Sequence, residues 1–207
     1  MNTEEAYNNW SQQYDTNENK TRDLEAIALR ENLIDTPFAE CLEIGCGTGK
    51  NTLWLVEKAI HVTAVDFSSQ MLARAKEKIR SGNAEFMQVD FTKPWTFAKK
   101  KYDLITFSLV LEHIENLEHI FRECSLVLKP GGYIYIGELH PFKQYSGSKA
   151  RFENEKRLLT LECFTHHLSD FIIAAKKSRL HIVNASEYFD NNDRSSVPRI
   201  LVMIFVL

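Results

Sequence analysis

Short apolar runs alternate with amphipathic stretches along the chain after residue 38. The runs are rich in β-branched and aromatic residues, which is typical of buried strands. They predict strands over 39–45, 61–67, 84–91, 102–108, 132–139, 180–189 and 199–207.

The amphipathic stretches between these strands place apolar residues at helical spacing. They predict helices over 49–59, 68–81, 116–132 and 166–179, and two polar helices near 4–14 and 21–34 precede the first strand. Strands that alternate with helices form βαβ units, so the predicted fold class is α/β with a doubly wound, mostly parallel sheet. Such sheets bind ligands at the carboxyl ends of their strands.

The length of 207 residues suits a single domain. We divide it into an N-terminal helical segment, 1–37, and a core, 38–207, which carries a loop at 140–157 on the ligand side of the sheet. The net charge of −3 offers no electrostatic reason to expect a nucleic-acid partner.

The chain begins with MNTEEAYNNW, which is polar and acidic and does not predict a secretory signal. Its longest apolar run, ILVMIFVL, is short for a membrane helix and suits a buried strand. Cysteines stand at 41, 46, 124 and 163 without a CxxC pair, which favours reduced thiols. We expect a cytoplasmic protein, monomeric or homodimeric, without a membrane partner.

The stretch CLEIGCGTGKNT follows the first predicted strand. A phosphate-binding P-loop requires GxxxxGK and then Ser or Thr, but Ile44 stands at its first glycine position and Asn51 follows Lys50. A dinucleotide fingerprint, GxGxxG, matches at Gly45 and Gly47 and fails at Lys50, because a bulky side chain prevents close packing of helix on strand.

The residue two places before Gly45 is Glu43, at the predicted end of the strand. A carboxylate would repel a pyrophosphate but attract an ammonium group. The loop therefore predicts a ligand with a cationic end and no phosphate.

Five segments resemble, in order, the motifs of the class I S-adenosylmethionine-dependent methyltransferases: LEIGCGTGKNT, VTAVDFSSQML, FMQVDF, YDLITFSLVLEHI and LKPGGYIYIGE. They lie between about residue 38 and residue 140, and the C-terminal strands complete the same fold. The resemblance implies a Rossmann-like sheet with an antiparallel C-terminal strand, an N-terminal helical lid, S-adenosylmethionine as cofactor and S-adenosylhomocysteine as product.

The resemblance also implies which residues contact the cofactor. Gly45 and Gly47 would let the backbone approach it closely, since no Cβ intervenes. Glu43 would lie near the methionine ammonium, and Asp66 would accept the ribose hydroxyls. The full set of implied cofactor contacts is Tyr14, Glu43, Gly45, Cys46, Gly47, Asp66, Phe67, Met71, Asp90, Phe91 and Ser108.

Four of these residues also have a structural interpretation. Glu43 could be only a solvated loop carboxylate. Asp66 could stabilise the N-terminus of the following helix, with which a cofactor role is compatible. Asp90 could be a turn residue instead of an acceptor for the adenine amino group. Met71 could belong to the helix core instead of flanking the adenine together with Phe67.

The segment LVLEHIEN follows the fourth predicted strand. Its Glu112 and His113 resemble part of a Glu-x-x-Glu-His set that holds a divalent metal in some ubiquinone-biosynthesis O-methyltransferases. Leu109 stands where the first carboxylate would be, so no metal site is expected. His113 is a candidate base or cofactor contact, and a plain histidine at a helix start is the alternative.

Two further catalytic candidates, His140 and Tyr145, lie in GELHPFKQYSGSKARF after the fifth predicted strand. Long loops rich in aromatic and charged residues are often functional, although either residue could only stabilise the loop. His166 and His167 are interpreted as polar surface at a helix start.

Tyr7, Trp10 and Tyr14 are spaced three and four apart, which places them on one face of a helix. They could pack this helix against the body of the protein, form a lid with Tyr14 near the cofactor, or do both.

The expected function is methyl transfer to a small molecule, because the small cap favours a small acceptor. A tRNA or protein methyltransferase would need a basic or extended docking surface that the sequence does not indicate. Lys50 and Glu43 argue against a nucleotide-binding oxidoreductase. A non-catalytic protein that binds S-adenosylmethionine stays open, because the family has no universal catalytic residue.

Overall fold

The computed structural model describes residues 7–8, 11, 14–16, 18–147, 151–154, 157–160 and 163–207. Its strands are β1 (Glu40–Ile44), β2 (His61–Asp66), β3 (Ala84–Gln88), β4 (Tyr102–Ser108), β5 (Leu128–Leu139), β6 (Arg151–Asn154), β7 (Arg157–Thr160), β8 (His181–Tyr188) and β9 (Ile200–Val206).

The described helices are α1 (Lys20–Leu33), α2 (Thr52–Lys58), α3 (Ser69–Lys78), α4 (Leu117–Val127), α5 (Pro141–Tyr145) and α6 (Leu168–Lys177). Several begin at a side-chain cap that the sequence supplies. Asn19 caps α1, Ser68 caps α3 and Asn116 caps α4, in each case by accepting a hydrogen bond from a backbone N–H of the first turn.

Seven strands form one sheet in the order β3-β2-β1-β4-β5-β9-β8. The pairs from β3 to β5 are parallel, whereas β9 runs antiparallel to β5 and to β8. The predicted fold class, with its antiparallel C-terminal strand, is confirmed. The carboxyl ends of β1, β2 and β4 lie side by side, so the segments that follow them meet at one rim.

The two faces of the sheet bury alternate residues of β1. Leu42 and Ile44 belong to one apolar cluster, and Cys41 belongs to the other, which α1 and α2 cover. Because side chains alternate along a strand, Glu43 points to the same face as Cys41 and is buried beneath these helices. This buried position places a carboxyl group behind the rim where the strands end.

The predicted helix over 116–132 is wrong at its end, since α4 stops at Val127. Leu128 already pairs with Tyr102 of β4, and the register of the two strands shifts before Leu104 pairs with Tyr133. Pairing with β4 therefore begins at Leu128, before the Pro-Gly-Gly sequence at which the helix was expected to end.

The predicted loop at 140–157 contains regular elements in the part that the structure describes, 140–147, 151–154 and 157. It contains the helix α5, which has Pro141 in its first turn, and the strand β6, which pairs with β7 in a separate antiparallel hairpin. The Nδ1 atom of His140 accepts a hydrogen bond from the Phe142 N–H at 3.2 Å and so caps α5.

The N-terminal segment also differs from the expected helix near 4–14. Tyr7 and Asn8 are helical, but Ser11 and Tyr14 lie in turns, and Trp10 falls outside the described residues. In the described part of the chain, no helix is both long enough and apolar enough to cross a membrane.

Candidate functional site

The loop between β1 and α2 adopts a backbone that only glycine adopts without strain. Gly45, Gly47 and Gly49 have φ values of 72°, 55° and 80°. A Cβ at Gly45 would lie 2.3 Å from the Val110 side chain, and one at Gly49 would lie 2.6 Å from that of Ile79. At Gly47 a Cβ would meet nothing within 4 Å, so this peptide faces open space.

A cavity opens at the rim formed by β1, β2 and β4. Backbone and side chains of the glycine loop, of the segments after β2 and β4, and of the N-terminal segment line it. The lining residues are Tyr7, Tyr14, Gly45, Gly47, Asp66, Phe67, Met71, Phe91, Ser108, Leu109, Val110 and His113. Eight residues implied as cofactor contacts and the candidate base thus meet in one place, although their cofactor and catalytic roles stay predictions.

Asp66 joins the glycine loop to the start of α3. Its Oδ2 atom accepts a hydrogen bond from the Gly47 N–H at 2.8 Å, and its Oδ1 atom accepts one from the Ser68 N–H at 2.8 Å. Burial raises the pKa of this carboxyl to about 6 despite both bonds. Each oxygen keeps a lone pair for a ligand hydroxyl.

Glu43 lies beneath the loop and does not line the cavity. Its Oε2 atom accepts a hydrogen bond from Thr52 Oγ1 at 2.5 Å. Burial, with smaller contributions from Glu25 and Asp66, raises the pKa of the Glu43 carboxyl to about 8.

Glu25 of α1 is a buried carboxyl that the sequence did not reveal. It accepts hydrogen bonds from Asn51 Nδ2 at 2.9 Å and from Tyr135 Oη at 3.2 Å, and Asn51 Nδ2 also contacts Ser108 Oγ at 3.1 Å. Burial raises the pKa of Glu25 to about 7. A glutamate in a polar helix gives no signal of burial, so only the packing of α1 on the sheet shows it.

Glu138 is a second buried carboxyl whose role the sequence did not reveal, and it binds the backbone of the segment after β4. Glu138 Oε1 accepts hydrogen bonds from the Val110 and Leu111 N–H groups at 2.9 and 2.8 Å. Leu109, which precedes them, has a φ of 57°, a value that is strained for leucine. Burial and the neighbouring Glu112 raise the pKa of Glu138 to about 8.

His113 forms the end of the cavity opposite the loop. Its Nε2 atom lies 2.9 Å from Tyr7 Oη, and its Nδ1 atom lies 4.0 Å from Cys163 Sγ. Glu112 Oε1 lies 4.0 Å from Nε2, and burial raises the pKa of that carboxyl to about 7.

The apolar end of the cavity is formed by aromatic side chains. The rings of Phe67 and Phe91 are 4.3 Å apart between centroids, and Met71 is fully buried beside them. Asp90 is exposed and lies two residues beyond the end of β3, where its Oδ1 atom accepts a hydrogen bond from the Thr92 N–H at 3.0 Å. It does not line the cavity.

The two candidates after β5 also lie outside the cavity lining. His140 Nε2 contacts Glu187 Oε1 at 3.1 Å, and Tyr145, which is exposed, contacts His167 Nδ1 through its hydroxyl at 2.6 Å. His166 is buried, not surface as expected, and its Nε2 atom lies 2.7 Å from the Ile114 carbonyl.

Polar contacts attach the N-terminal segment to the rim. Asn8 Oδ1 accepts a hydrogen bond from Ser68 Oγ at 2.6 Å, and Asp15 Oδ1 accepts one from Thr48 Oγ1 at 2.6 Å. With Tyr7 and Tyr14 in place, the open space is about 60 Å³. Ligand pockets usually measure about 300 to 1,000 Å³, so the cavity is small for a ligand site.

A protein-family model described as a methyltransferase domain matches residues 42–136. The demethylmenaquinone methyltransferase of Leptospira interrogans is 36% identical over 97 residues, which cover 44% of this chain and 39% of that protein. The chain therefore matches about two fifths of the length of this relative.

Solved methyltransferase structures share the fold at low identity. The N-methyltransferase NodS from Bradyrhizobium japonicum WM9, in complex with S-adenosyl-L-homocysteine, has a TM-score of 0.74 and 18% identity, and the match covers 100% of this chain and 98% of that one. The DhpI-SAM-HEP complex has a TM-score of 0.79 and 21% identity, with 98% and 95% of the two chains covered.

Proposed function

We propose that the chain transfers a methyl group from S-adenosylmethionine to a small-molecule acceptor and releases S-adenosylhomocysteine. A methyltransferase-domain model that matches residues 42–136 and the fold shared with solved S-adenosylmethionine-dependent methyltransferases support this proposal. The observation that carries this proposal is the rim cavity, which a glycine loop and the half-buried Asp66 form, with the buried Glu43 and Glu25 behind it. Such a wall suits a ligand with a cationic end and a ribose but no phosphate.

The residues fit this cofactor at three points. Open space beside Gly47 leaves room for a ligand against the backbone. Asp66 keeps lone pairs for two ribose hydroxyls, since each of its oxygens has one backbone donor. Phe67 and Phe91 supply aromatic surface for an adenine, and Met71 lies beside them.

The protein's own part in the reaction is to orient the acceptor, exclude water and receive a proton. When bound, the cofactor supplies a methyl group that its sulfonium activates. His113 is the imidazole in the cavity wall, and we assign it the role of general base for an acceptor that carries a proton. Tyr7 and Tyr14 of the N-terminal segment close the cavity above it, which supports a small acceptor.

His140 and Tyr145 stay in this proposal as candidates for acceptor contacts, and a paired measurement tests them. An acceptor role predicts that His140→Ala and Tyr145→Phe lower methyl transfer at least about tenfold, equivalent to ~1.4 kcal/mol, while affinity for S-adenosylhomocysteine stays within about threefold. Unchanged turnover, with lower stability for His140→Ala, would instead assign His140 to capping α5.

Calorimetry with S-adenosylhomocysteine, NAD and ATP tests the proposed function itself. We expect S-adenosylhomocysteine to bind with a Kd on the order of 1 to 100 μM, which is about −8 to −5 kcal/mol, and the other two ligands not to bind. Tighter binding of NAD than of S-adenosylhomocysteine would overturn the proposal, because the buried carboxyls would then face a pyrophosphate.

A further inference from the structure

The N-terminal segment places a phenol against the candidate base. Tyr7 Oη lies 2.9 Å from His113 Nε2, and the two rings meet edge to face with centroids 5.5 Å apart. Burial raises the pKa of Tyr7 well above its usual 10, so this hydroxyl stays protonated and can donate to Nε2.

A hydrogen bond donated by Tyr7 requires one particular tautomer of His113. If Nε2 accepts the phenol proton, the imidazole carries its own proton on Nδ1, which faces Cys163 Sγ at 4.0 Å. The lone pair of the base therefore points into the cavity and is occupied by a hydroxyl of the protein itself. A reacting acceptor has to take over this position.

We propose that the acceptor is a compound with a neutral aromatic hydroxyl, and that Tyr7 occupies the place of that hydroxyl at His113 Nε2 until the acceptor binds. This inference rests on the proposed function. The site already accommodates a flat ring whose O–H group lies within hydrogen-bond distance of Nε2. An aromatic hydroxyl of the acceptor can make the same contact once Tyr7 has left this position.

The chemistry of the base favours a phenol over an alkylamine. A phenol keeps lone pairs on its oxygen while it donates its proton, whereas an alkylammonium has none until it has lost one. In the transfer, the phenol oxygen forms a bond to the methyl carbon as the sulfur–carbon bond breaks and leaves its electron pair on sulfur. The phenol proton passes to His113 Nε2, and Glu112 lies 4.0 Å from that atom to stabilise the imidazolium.

The test uses para-cresol, which has the shape of a tyrosine side chain, with benzylamine and toluene as comparison probes. Each is titrated into the full chain saturated with S-adenosylhomocysteine, and binding is followed by calorimetry and by the NMR shift of the His113 ring protons. We expect para-cresol to bind about two- to tenfold more tightly than either comparison probe, which is the gain expected from one hydrogen bond.

Tyr7→Phe keeps the ring and removes the competing hydroxyl. It should raise the affinity for para-cresol about two- to tenfold and increase its conversion to 4-methylanisole in the presence of S-adenosylmethionine. Tyr188→Phe is the matched control, because its hydroxyl accepts a hydrogen bond from Asn32 Nδ2 at 2.8 Å outside the cavity. It should leave both quantities unchanged.

Three results separate the possibilities. If S-adenosylhomocysteine does not bind at all, the proposed function fails. If it binds but para-cresol behaves like toluene, or benzylamine binds better, only the inferred acceptor class is wrong. If Tyr7→Phe lowers both the affinity for para-cresol and its methylation, Tyr7 acts in the reaction, and the exchange of hydroxyls is refuted.

Discussion

Replacing Glu43 by glutamine should make the protein more stable and its cofactor binding weaker. The carboxyl is buried, accepts one hydrogen bond from Thr52, and lies near two other carboxyls, those of the buried Glu25 and the half-buried Asp66. Glutamine has nearly the same shape, and its Oε1 atom can accept the Thr52 hydrogen bond. The substitution therefore removes the charge and little else.

The magnitude follows from the two pKa values of Glu43. The pKa is 4.5 in the reference state and about 8 in the folded protein. Because the folded-state value is raised, the unfolded chain releases the proton first, and the stability of the parent falls as the pH rises from 4.5 to 8. At ~1.4 kcal/mol per pH unit, the penalty that glutamine removes is about 3 kcal/mol at pH 7.

Urea unfolding of the parent and of Glu43→Gln at pH 6 and pH 8 measures this effect. The gain in the free energy of unfolding should be larger at pH 8 by about 2 kcal/mol. Glu57→Gln, on the exposed side of α2, is the matched control and should change stability by less than about 0.5 kcal/mol at either pH.

Affinity for S-adenosylhomocysteine should change in the opposite direction. A cationic ligand favours the ionised carboxyl, so binding by the parent releases protons and strengthens as the pH rises from 6 to 8. In Glu43→Gln we expect affinity at pH 8 to fall at least about tenfold, ~1.4 kcal/mol, with a flatter pH dependence. Equal stabilities at both pH values, or unchanged affinity, would refute the reasoning that a buried charge is retained here for the ligand.

Three other changes should have measurable effects. Asp66→Ala should weaken S-adenosylhomocysteine binding by about 2 to 4 kcal/mol in calorimetry, since hydrogen bonds to a charged acceptor contribute ~1.5 to 3 kcal/mol each, and parent-like affinity would leave Asp66 as a helix cap only. Arg179→Gly should raise the free energy of unfolding by about 1 kcal/mol, because Arg179 follows the end of α6 with a φ of 61°, a conformation in which glycine is unstrained. A lower melting temperature of the variant would contradict this. Methyl transfer, once an acceptor is known, should continue in the presence of EDTA, because Leu109 stands where a metal-binding carboxylate would be. Activity that is lost with EDTA and restored by magnesium would show that another residue completes a metal site.

Local patterns in the sequence determined the sheet and most of the cavity wall. The alternation of strand and helix patterns predicted a mostly parallel sheet, and the glycine spacing predicted the turn whose three glycines have positive φ. Gly45, Asp66 and Ser108 could be placed at one rim because parallel strands end at the same edge. Such inferences need only neighbours within one strand–loop–helix unit.

Contacts between distant segments were decided by the tertiary structure alone. Glu25 meets Tyr135, 110 residues away, and Tyr7 meets His113, 106 residues away. Nothing in the local sequence distinguishes a buried glutamate of α1 from an exposed one, since its burial depends on which face the sheet covers. The same holds for His140, whose contact with Glu187 exists only because β8 returns beside β9, next to the end of β5. A side chain's charge state and its partner are properties of the packed fold. For that reason the sequence placed the candidate site at this rim of the sheet, but the tertiary structure decided which groups line it.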